Sequence, residues 1–326
     1  MEINKPNVSV YGTVYNSIFA IEDCLKSLVS QFDFNNEYEF VIVDNFSTDG
    51  TFEVLKKYES KFKNFKVIQS KCTKGVGRSI AYSKTTGRYT FYVDLDTIYL
   101  PVFSEIITNF VEKYEPGTMF PFGFMDRGTA DRLMPWKDMN TYEDLEFWAR
   151  AISLGIRVYF PTVMVSKNYI ISGNRDKRYE KKTIKLLKRL YRNTVYGIKG
   201  RGVNSFSELK RRYSGKKRLF AYMVFIKMKL TREEIYTYSK LSSNTEYLKR
   251  NEILLDPSKF NIDKKYWFSY IQPKFLDLET SNRLVAEHIA IGFNKFQFLK
   301  NGLILLYTDS TDKNLLDYSI SFYNNY

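Results

Sequence analysis

The stretch Arg88-Tyr89-Thr90-Phe91-Tyr92-Val93-Asp94-Leu95-Asp96 decides more about this chain than any other. Its aromatic and β-branched run behind Gly87 reads as a buried strand. Two carboxylates one residue apart at the strand's carboxyl end would then project into the crevice where open α/β sheets bind ligands. Carboxylates that close repel each other unless a cation intervenes. Mg²⁺ or Mn²⁺ prefers such oxygens and commonly shares its shell with substrate phosphates. Asp also ends ordinary strands at ordinary turns, so the pair gains its meaning from the residues around it.

Working outward, strand-like and helix-like patterns alternate. Val8-Ser9-Val10-Tyr11 is a short strand, followed by Ile18, Ile21, Leu25, Leu28 and Val29 at helical spacing. Phe40-Val41-Ile42-Val43 is a second strand. Ser47-Thr48-Asp49 supplies capping residues for a helix carrying Phe52, Leu55 and Phe62. Phe65-Lys66-Val67-Ile68 is a third strand, and a helix from Arg78 to Thr86 stops at Gly87. A helix opens behind Pro101, and another runs from about Tyr142 to Leu154 and ends at Gly155 before the strand Ile156–Phe160. Such alternation predicts an α/β domain with right-handed crossovers and a mostly parallel sheet. The expected divisions are residues 1–174 for that domain, 175–229 for a basic helical segment and 230–326 for a mixed α+β region.

The division at 174 rests on charge. Of the net +14, residues 1–174 contribute −2 (19 Lys and Arg, 21 Asp and Glu), residues 175–229 contribute +16 (19 and 3), and residues 230–326 contribute nothing (12 and 12). Ile184, Leu187, Tyr191, Val195 and Ile198 form an apolar stripe among Lys181, Lys182, Lys185, Lys188, Arg189 and Arg192, a basic amphipathic helix. Lys216-Lys217-Arg218 then precedes the apolar run Leu219–Ile226, too short to cross a bilayer but suited to its interface or to a core. An anionic membrane surface explains both charge and stripe, whereas nucleic acid explains only the charge. Cys24 and Cys72 are too few for a disulfide framework, and Met1–Pro6 lacks a signal-peptide layout, so the expected setting is cytoplasmic, with attachment to the inner face of the membrane. His288, the only histidine, falls in the helical stretch Asn282–Ile291 and reads as structural.

Five segments carry candidate chemistry: Val8–Asn16, Val43–Thr51, Lys74–Ala81, Asp94–Asp96, and Thr141–Arg150 with Gly155 and Tyr159-Phe160-Pro161 behind it. Gly12 removes bulk where a loop would approach a planar ring, and Thr13 can hydrogen-bond there. Gly75 and Gly77 at a helix start would let backbone N–H groups approach a phosphate, with Arg78 adding a forked donor. An acid in the first turn from Thr141 gains from the helix dipole, which keeps it ionised as a general base requires. In this order the five segments resemble the inverting family 2 glycosyltransferases of the GT-A fold, over roughly residues 6–165.

The resemblance implies a nucleotide-diphosphate sugar donor, with Thr13, Tyr15, Asp44, Asn45, Arg78 and Asp94 as its binding residues. It assigns Mn²⁺ or Mg²⁺ to Asp96 and Asp94, and the catalytic base to Asp144 in preference to Glu143. Asn45 stands where the family usually has a second acid, Phe46 where it has Gly, and Thr97 where many relatives have a third acid. No Gln-x-x-Arg-Trp motif follows, so a single hexosyl transfer with inversion, to a glycan or lipid-linked acceptor, is expected rather than polymerisation. Two rivals stand beside it. A sugar-phosphate nucleotidyltransferase would need a Gly-rich, basic loop that Gly12–Asn16 does not supply. A nucleic-acid or membrane binder with an inert first domain would draw on Tyr191, Tyr196, Phe206 and Tyr213 among the charges.

Overall fold

The protein is described from a computed structural model, covering residues 7–168, 183–236, 252–271 and 278–325. The Ser172–Asn174 boundary and Lys181 and Lys182 lie outside the described residues. The chain opens with β1 (Val8–Val14), α1 (Ile18–Val29), β2 (Tyr38–Asp44), α2 (Thr51–Glu59), β3 (Phe65–Gln69), α3 (Lys74–Ser83) and β4 (Tyr89–Asp94). It continues through β5 (Thr97–Tyr99), α4 (Val102–Glu112), β6 (Thr118–Met119), β7 (Met125–Asp126), α5 (Arg127–Asp131), α6 (Glu143–Ser153), β8 (Arg157–Phe160) and β9 (Ser166–Asn168). The main sheet has the order β3-β2-β1-β4-β7, parallel except for β7. Both faces are covered, which is why all seven residues of β2 are buried; Phe40–Val43 is an apolar run ending at Asp44, and buried Glu39 before it accepts from the Ser9 hydroxyl and the Gly87 amide.

Register does the rest. Val14 lies opposite Asp44 and Thr13 opposite Asp94, so residues far apart in sequence meet along one carboxyl edge of the sheet. Gly12 does not sit in a ligand-facing loop. It lies within β1 opposite Val93, and a Cβ there would come 3.0 Å from the Val93 carbonyl oxygen, so it serves strand packing instead. Gly50, at φ 97°, holds the N-cap position of α2, and Asp49 before it accepts from the Thr51 amide that opens α2 and from the Ile18 amide that opens α1, tying the two helices together. α3 begins at Lys74, four residues before the expected start, because Thr73 caps it by accepting from the Val76 amide.

Beyond the sheet, α7 (Thr183–Gly200), α8 (Phe206–Arg212) and α9 (Gly215–Leu230) enclose a small core of Val195, Ile198, Leu209, Val224, Phe225 and Met228. Only the second half of the expected α7 stripe is buried there. Ile184 and Leu187 are exposed. β10 (Glu252–Leu254) joins β8 in parallel, and Phe260, Ile262 and Trp267 enter the same core as the main sheet. β11 (Phe268–Ile271), β12 (Lys295–Phe298) and β13 (Ile304–Tyr307) make an antiparallel sheet flanked by helices Leu278–Ile291 and Lys313–Asn325. His288 is buried there with both ring nitrogens 2.7 Å from partners, the Leu284 carbonyl and the Ser269 hydroxyl, the structural role expected of it.

The start of α3 is bound to the segment just before α6. The Gly75 amide donates to the Met139 carbonyl (2.9 Å), the Lys74 amide to Asn140 Oδ1 (3.0 Å), and the Thr73 hydroxyl to Asp138 (2.7 Å). A Cβ on Gly75 would fall 1.9 Å from the Lys137 carbonyl oxygen, which no side-chain adjustment relieves. Gly75→Ala is therefore expected to destabilise the fold by about 1–3 kcal/mol, the range for forced overpacking, as read from the urea unfolding midpoint. An unchanged midpoint would show that this contact does not hold in solution.

Candidate active site

At the carboxyl edge, four charges close into a ring. Arg78 donates from Nη2 to Asp94 Oδ1 (2.8 Å) and from Nη1 to Glu143 Oε1 (3.1 Å). Lys74 Nζ lies 2.9 Å from each of the same two oxygens. Lys74 and Arg78 share one face of α3 because they are four residues apart, while Asp94 ends β4 and Glu143 opens α6. Arg78 is only 1% exposed, and its guanidinium lies over the rings of Tyr92 (4.4 Å) and Trp136 (4.6 Å). A lone cation so buried would be untenable, and two carboxylates with two aromatic faces make it tenable.

The electrostatics separate neighbouring acids. Burial alone would raise Asp94 and Glu143, but Lys74 and Arg78 outweigh it and hold both carboxyls below their ordinary range. Asp144 goes the other way. The crowding of the cleft and the adjacent Glu143 charge raise it above the usual carboxylate value, against the opposing pull of Lys74 and Arg78. Glu143 is buried, whereas Asp144 is exposed, with Oδ1 accepting from the Leu145 amide at 2.8 Å. The lowering expected of an acid in the first turn of a helix is therefore not what Asp144 shows.

The other expected site residues fall at the same edge in different roles. Thr13 donates to the Val43 carbonyl (3.0 Å) and Asn45 accepts from the Cys72 amide (3.0 Å), both partly exposed, and Tyr15 is exposed. Asp44 is turned inward. Fully buried, it accepts from the Ser47 amide and from Gln69 Nε2 at 3.1 Å each, so it shapes the loop and presents no open edge to a base. Arg78 likewise is buried and pairs with Asp94 and Glu143, so it holds the acids in place. Gly75 and Gly77 do not cradle phosphate, because their amides donate to Met139 and Thr73, and a Cβ on Gly77 would meet the Thr13 hydroxyl at 2.4 Å. Asp96 is partly exposed, two residues past the end of β4. Among the described residues no three His, Cys, Asp or Glu side chains gather as a ready metal cage. Of the two acids at 94 and 96, Asp94 is already neutralised by Lys74 and Arg78, which leaves Asp96 as the carboxylate that could serve a cation.

Residues 9–143 match the family described as Glycosyl transferase family 2. The chain carries a family 2 glycosyltransferase domain. Over 92 residues it is 36% identical to a poly(ribitol-phosphate) beta-glucosyltransferase of Bacillus spizizenii, covering 27% of this chain and 14% of that protein. A putative teichuronic acid biosynthesis glycosyltransferase, TuaG of Bacillus subtilis, is 36% identical over 94 residues, 28% of this chain and 36% of that one. The matched part therefore spans well under half the length of these relatives. The solved structure of Staphylococcus aureus TarS 1–349 with UDP shares 16% identity at a TM-score of 0.47, over 94% of this chain and 98% of that chain. The family 2 match over residues 9–143 favours glycosyl transfer over the nucleotidyltransferase alternative.

Lys74 and Trp136 escaped sequence reasoning. The i, i+4 spacing of Lys74 and Arg78 is the one signal that pointed to Lys74. Phe46 also stands out, exposed and at φ 52°, a left-handed conformation uncommon for an aromatic residue, on the loop after β2.

The ring predicts an acid-labile site. Folding lowers the pKa of Glu143 and Asp94 below their ordinary 4.5 and 3.8, so the stability they contribute is complete above those values and drains away as pH falls through the folded ones. Glu143→Gln removes one charge from buried Arg78 and should lower stability at neutral pH by about 3 kcal/mol. Its stability should also fall less steeply than the parent's below about pH 4.5, as followed by urea midpoints across a pH series. Parallel pH profiles would show that Glu143 is not held as described.

Proposed function

We propose that the chain transfers one glycosyl group from a nucleoside diphosphate sugar to an acceptor hydroxyl, with inversion at the anomeric carbon. The observation that carries this is the pairing of two adjacent acids in a family 2 domain, Glu143 locked on Arg78 and Lys74, Asp144 left open with a raised pKa. A more basic carboxylate is a better proton acceptor at neutral pH. Asp144 would take the acceptor's proton as its oxygen attacks the anomeric carbon. The bond from that carbon to the diphosphate breaks on the opposite face, and the diphosphate leaves with the electron pair.

Thr13, Tyr15 and Asn45 would meet the nucleoside, and Lys74, partly exposed, offers an ammonium toward the diphosphate. Asp96 together with donor oxygens would hold Mn²⁺ or Mg²⁺, which when bound offsets charge on the leaving group. In this reading the first of the three divisions, residues 1–174, holds donor and base, and the helices behind it face the acceptor. The two relatives' names include two anionic polymers, which suits an acceptor of glycan or polyol-phosphate type for a chain of net charge +14. Both free cysteines, Cys24 and Cys72, suit a reducing, cytoplasmic setting.

Asp144→Asn is expected to keep donor affinity in calorimetry while losing about 10²–10⁴-fold in transfer rate, the usual worth of a general base. Transfer at the parental rate would remove Asp144 from the mechanism. Asp96→Asn should abolish the Mn²⁺-dependent part of nucleoside diphosphate binding and leave the melting temperature unchanged. Equal, metal-independent affinity in both proteins would refute a cation at Asp96.

A further inference from the structure

α9 carries two apolar faces, and the subdomain uses one. Ala221, Val224, Phe225 and Met228 point into the small core against Val195 and Ile198. Leu219, Met223, Ile226 and Leu230 recur at helical spacing on another face and are between 48% and 79% exposed. Lys216 and Lys217 before this stripe and Lys227 and Lys229 at its end are exposed as well. α7 adds Ile184, Leu186, Leu187 and Leu190, all exposed. The Lys227 ammonium sits 4.7 Å above the Tyr191 ring, which sets the end of α9 beside the part of α7 that follows those leucines. Residues 183–230 contain fourteen Lys and Arg and a single acid, Glu208. An aliphatic stripe of this extent on an exposed surface marks an interaction site.

We propose that this face docks on a membrane surface of anionic lipid. The aliphatic side chains would enter the boundary between headgroups and acyl chains, and the lysines, long enough to keep their ammonium groups at headgroup level, would lie on lipid phosphates. Charge decides between occupants. A second copy related by a two-fold axis would set this basic surface against itself. Nucleic acid needs open rings for stacking, whereas Tyr191 lies under Lys227, Tyr196 and Tyr213 are half-buried, and Phe206, though exposed, already meets Tyr222 and Phe225 edge-on. No described helix is long and apolar enough to cross a membrane, so the contact is a surface one. One consequence rests on the glycosyl-transfer reading. The far end of α7 packs on Tyr142, the residue before Glu143 and Asp144, so docking would bring a lipid-linked acceptor to the side of the site that holds the base.

The test is flotation of the full chain with vesicles of phosphatidylcholine alone and of phosphatidylcholine with phosphatidylglycerol, which requires no activity. The parent should float with the phosphatidylglycerol vesicles only. Combined Leu219→Gln, Met223→Gln and Ile226→Gln should reduce the bound fraction at least about tenfold at an unchanged melting temperature. Lys216→Ser with Lys217→Ser, which leaves every apolar contact in place, should also weaken binding and lessen its salt sensitivity. Failure of the parent to float, equal flotation with both vesicles, or a fully bound triple variant would overturn the proposal. So would a parental dimer in sedimentation that the triple variant loses, or tight RNA binding in place of flotation. Loss of transfer in Asp144→Asn with flotation intact would separate this surface from the reaction.

Discussion

A guanidinium almost wholly withdrawn from water governs the geometry of this site. Arg78 satisfies two carboxylates from two different elements, and Lys74 bridges the same two oxygens from one turn earlier on α3. Buried ion pairs add little net stability compared with apolar packing, but removing one partner is costly because the other stays buried. Their larger effect is positional. With Asp94 at the end of β4 and Glu143 at the start of α6, the ring fixes where α6 begins relative to the sheet. Trp136 reinforces this, stacked on Arg78 on one side and on Phe147 of α6 at 3.9 Å between ring centroids.

The ring also gives adjacent acids different chemistry. Successive helical residues point about 100° apart, so one carboxyl can lie inside while its neighbour lies outside. Glu143 gains two cations and becomes a poor base. Asp144, raised by desolvation in the cleft and then by the charge of Glu143, becomes a better one. Titratable neighbours whose surroundings drive their pKa values apart are the pattern by which acid and base roles are assigned. Here the divergence comes from burial and charge placement within a single helical turn.

Much of this could be read from the chain before the structure was known. β2 and β4 are buried almost throughout, so the apolar runs Phe40–Val43 and Phe91–Val93 stand out against the helices. The order of motifs carried the family, and the acids at 94, 96, 143 and 144 were all visible. What could not be read depends on contacts between distant residues. Gly12, Gly75 and Gly77 looked like ligand-facing glycines because a strand carbonyl, the Lys137 carbonyl and the Thr13 hydroxyl, which their missing side chains admit, are invisible locally. The start of α3 was placed too late for the same reason, since two glycines read as loop until their neighbours are known. Arg78 looked like a ligand contact because burial of a charge is never the default expectation. α7 looked uniformly amphipathic, although its partners cover only its second half.

The same long-range packing joins the acid pair to the basic helices. Tyr142, which precedes Glu143, adopts φ 65°, a left-handed conformation costing roughly 1–2 kcal/mol for a residue with a Cβ. Such strain persists only where the surroundings over-determine it. α7 supplies those surroundings: a Cβ on Gly200 would lie 2.9 Å from Tyr142 Cβ, one on Gly197 would lie 3.1 Å from its ring, and Arg201 covers the ring at 4.4 Å. Larger residues at either glycine would push Tyr142 back and rotate the first turn of α6 with it. The direction in which Asp144 faces therefore depends on the seating of α7 as well as on Arg78. The turn that carries Glu143 and Asp144 is held from the sheet side by an ion-pair ring and from the other side by a helix whose outer half is aliphatic and basic.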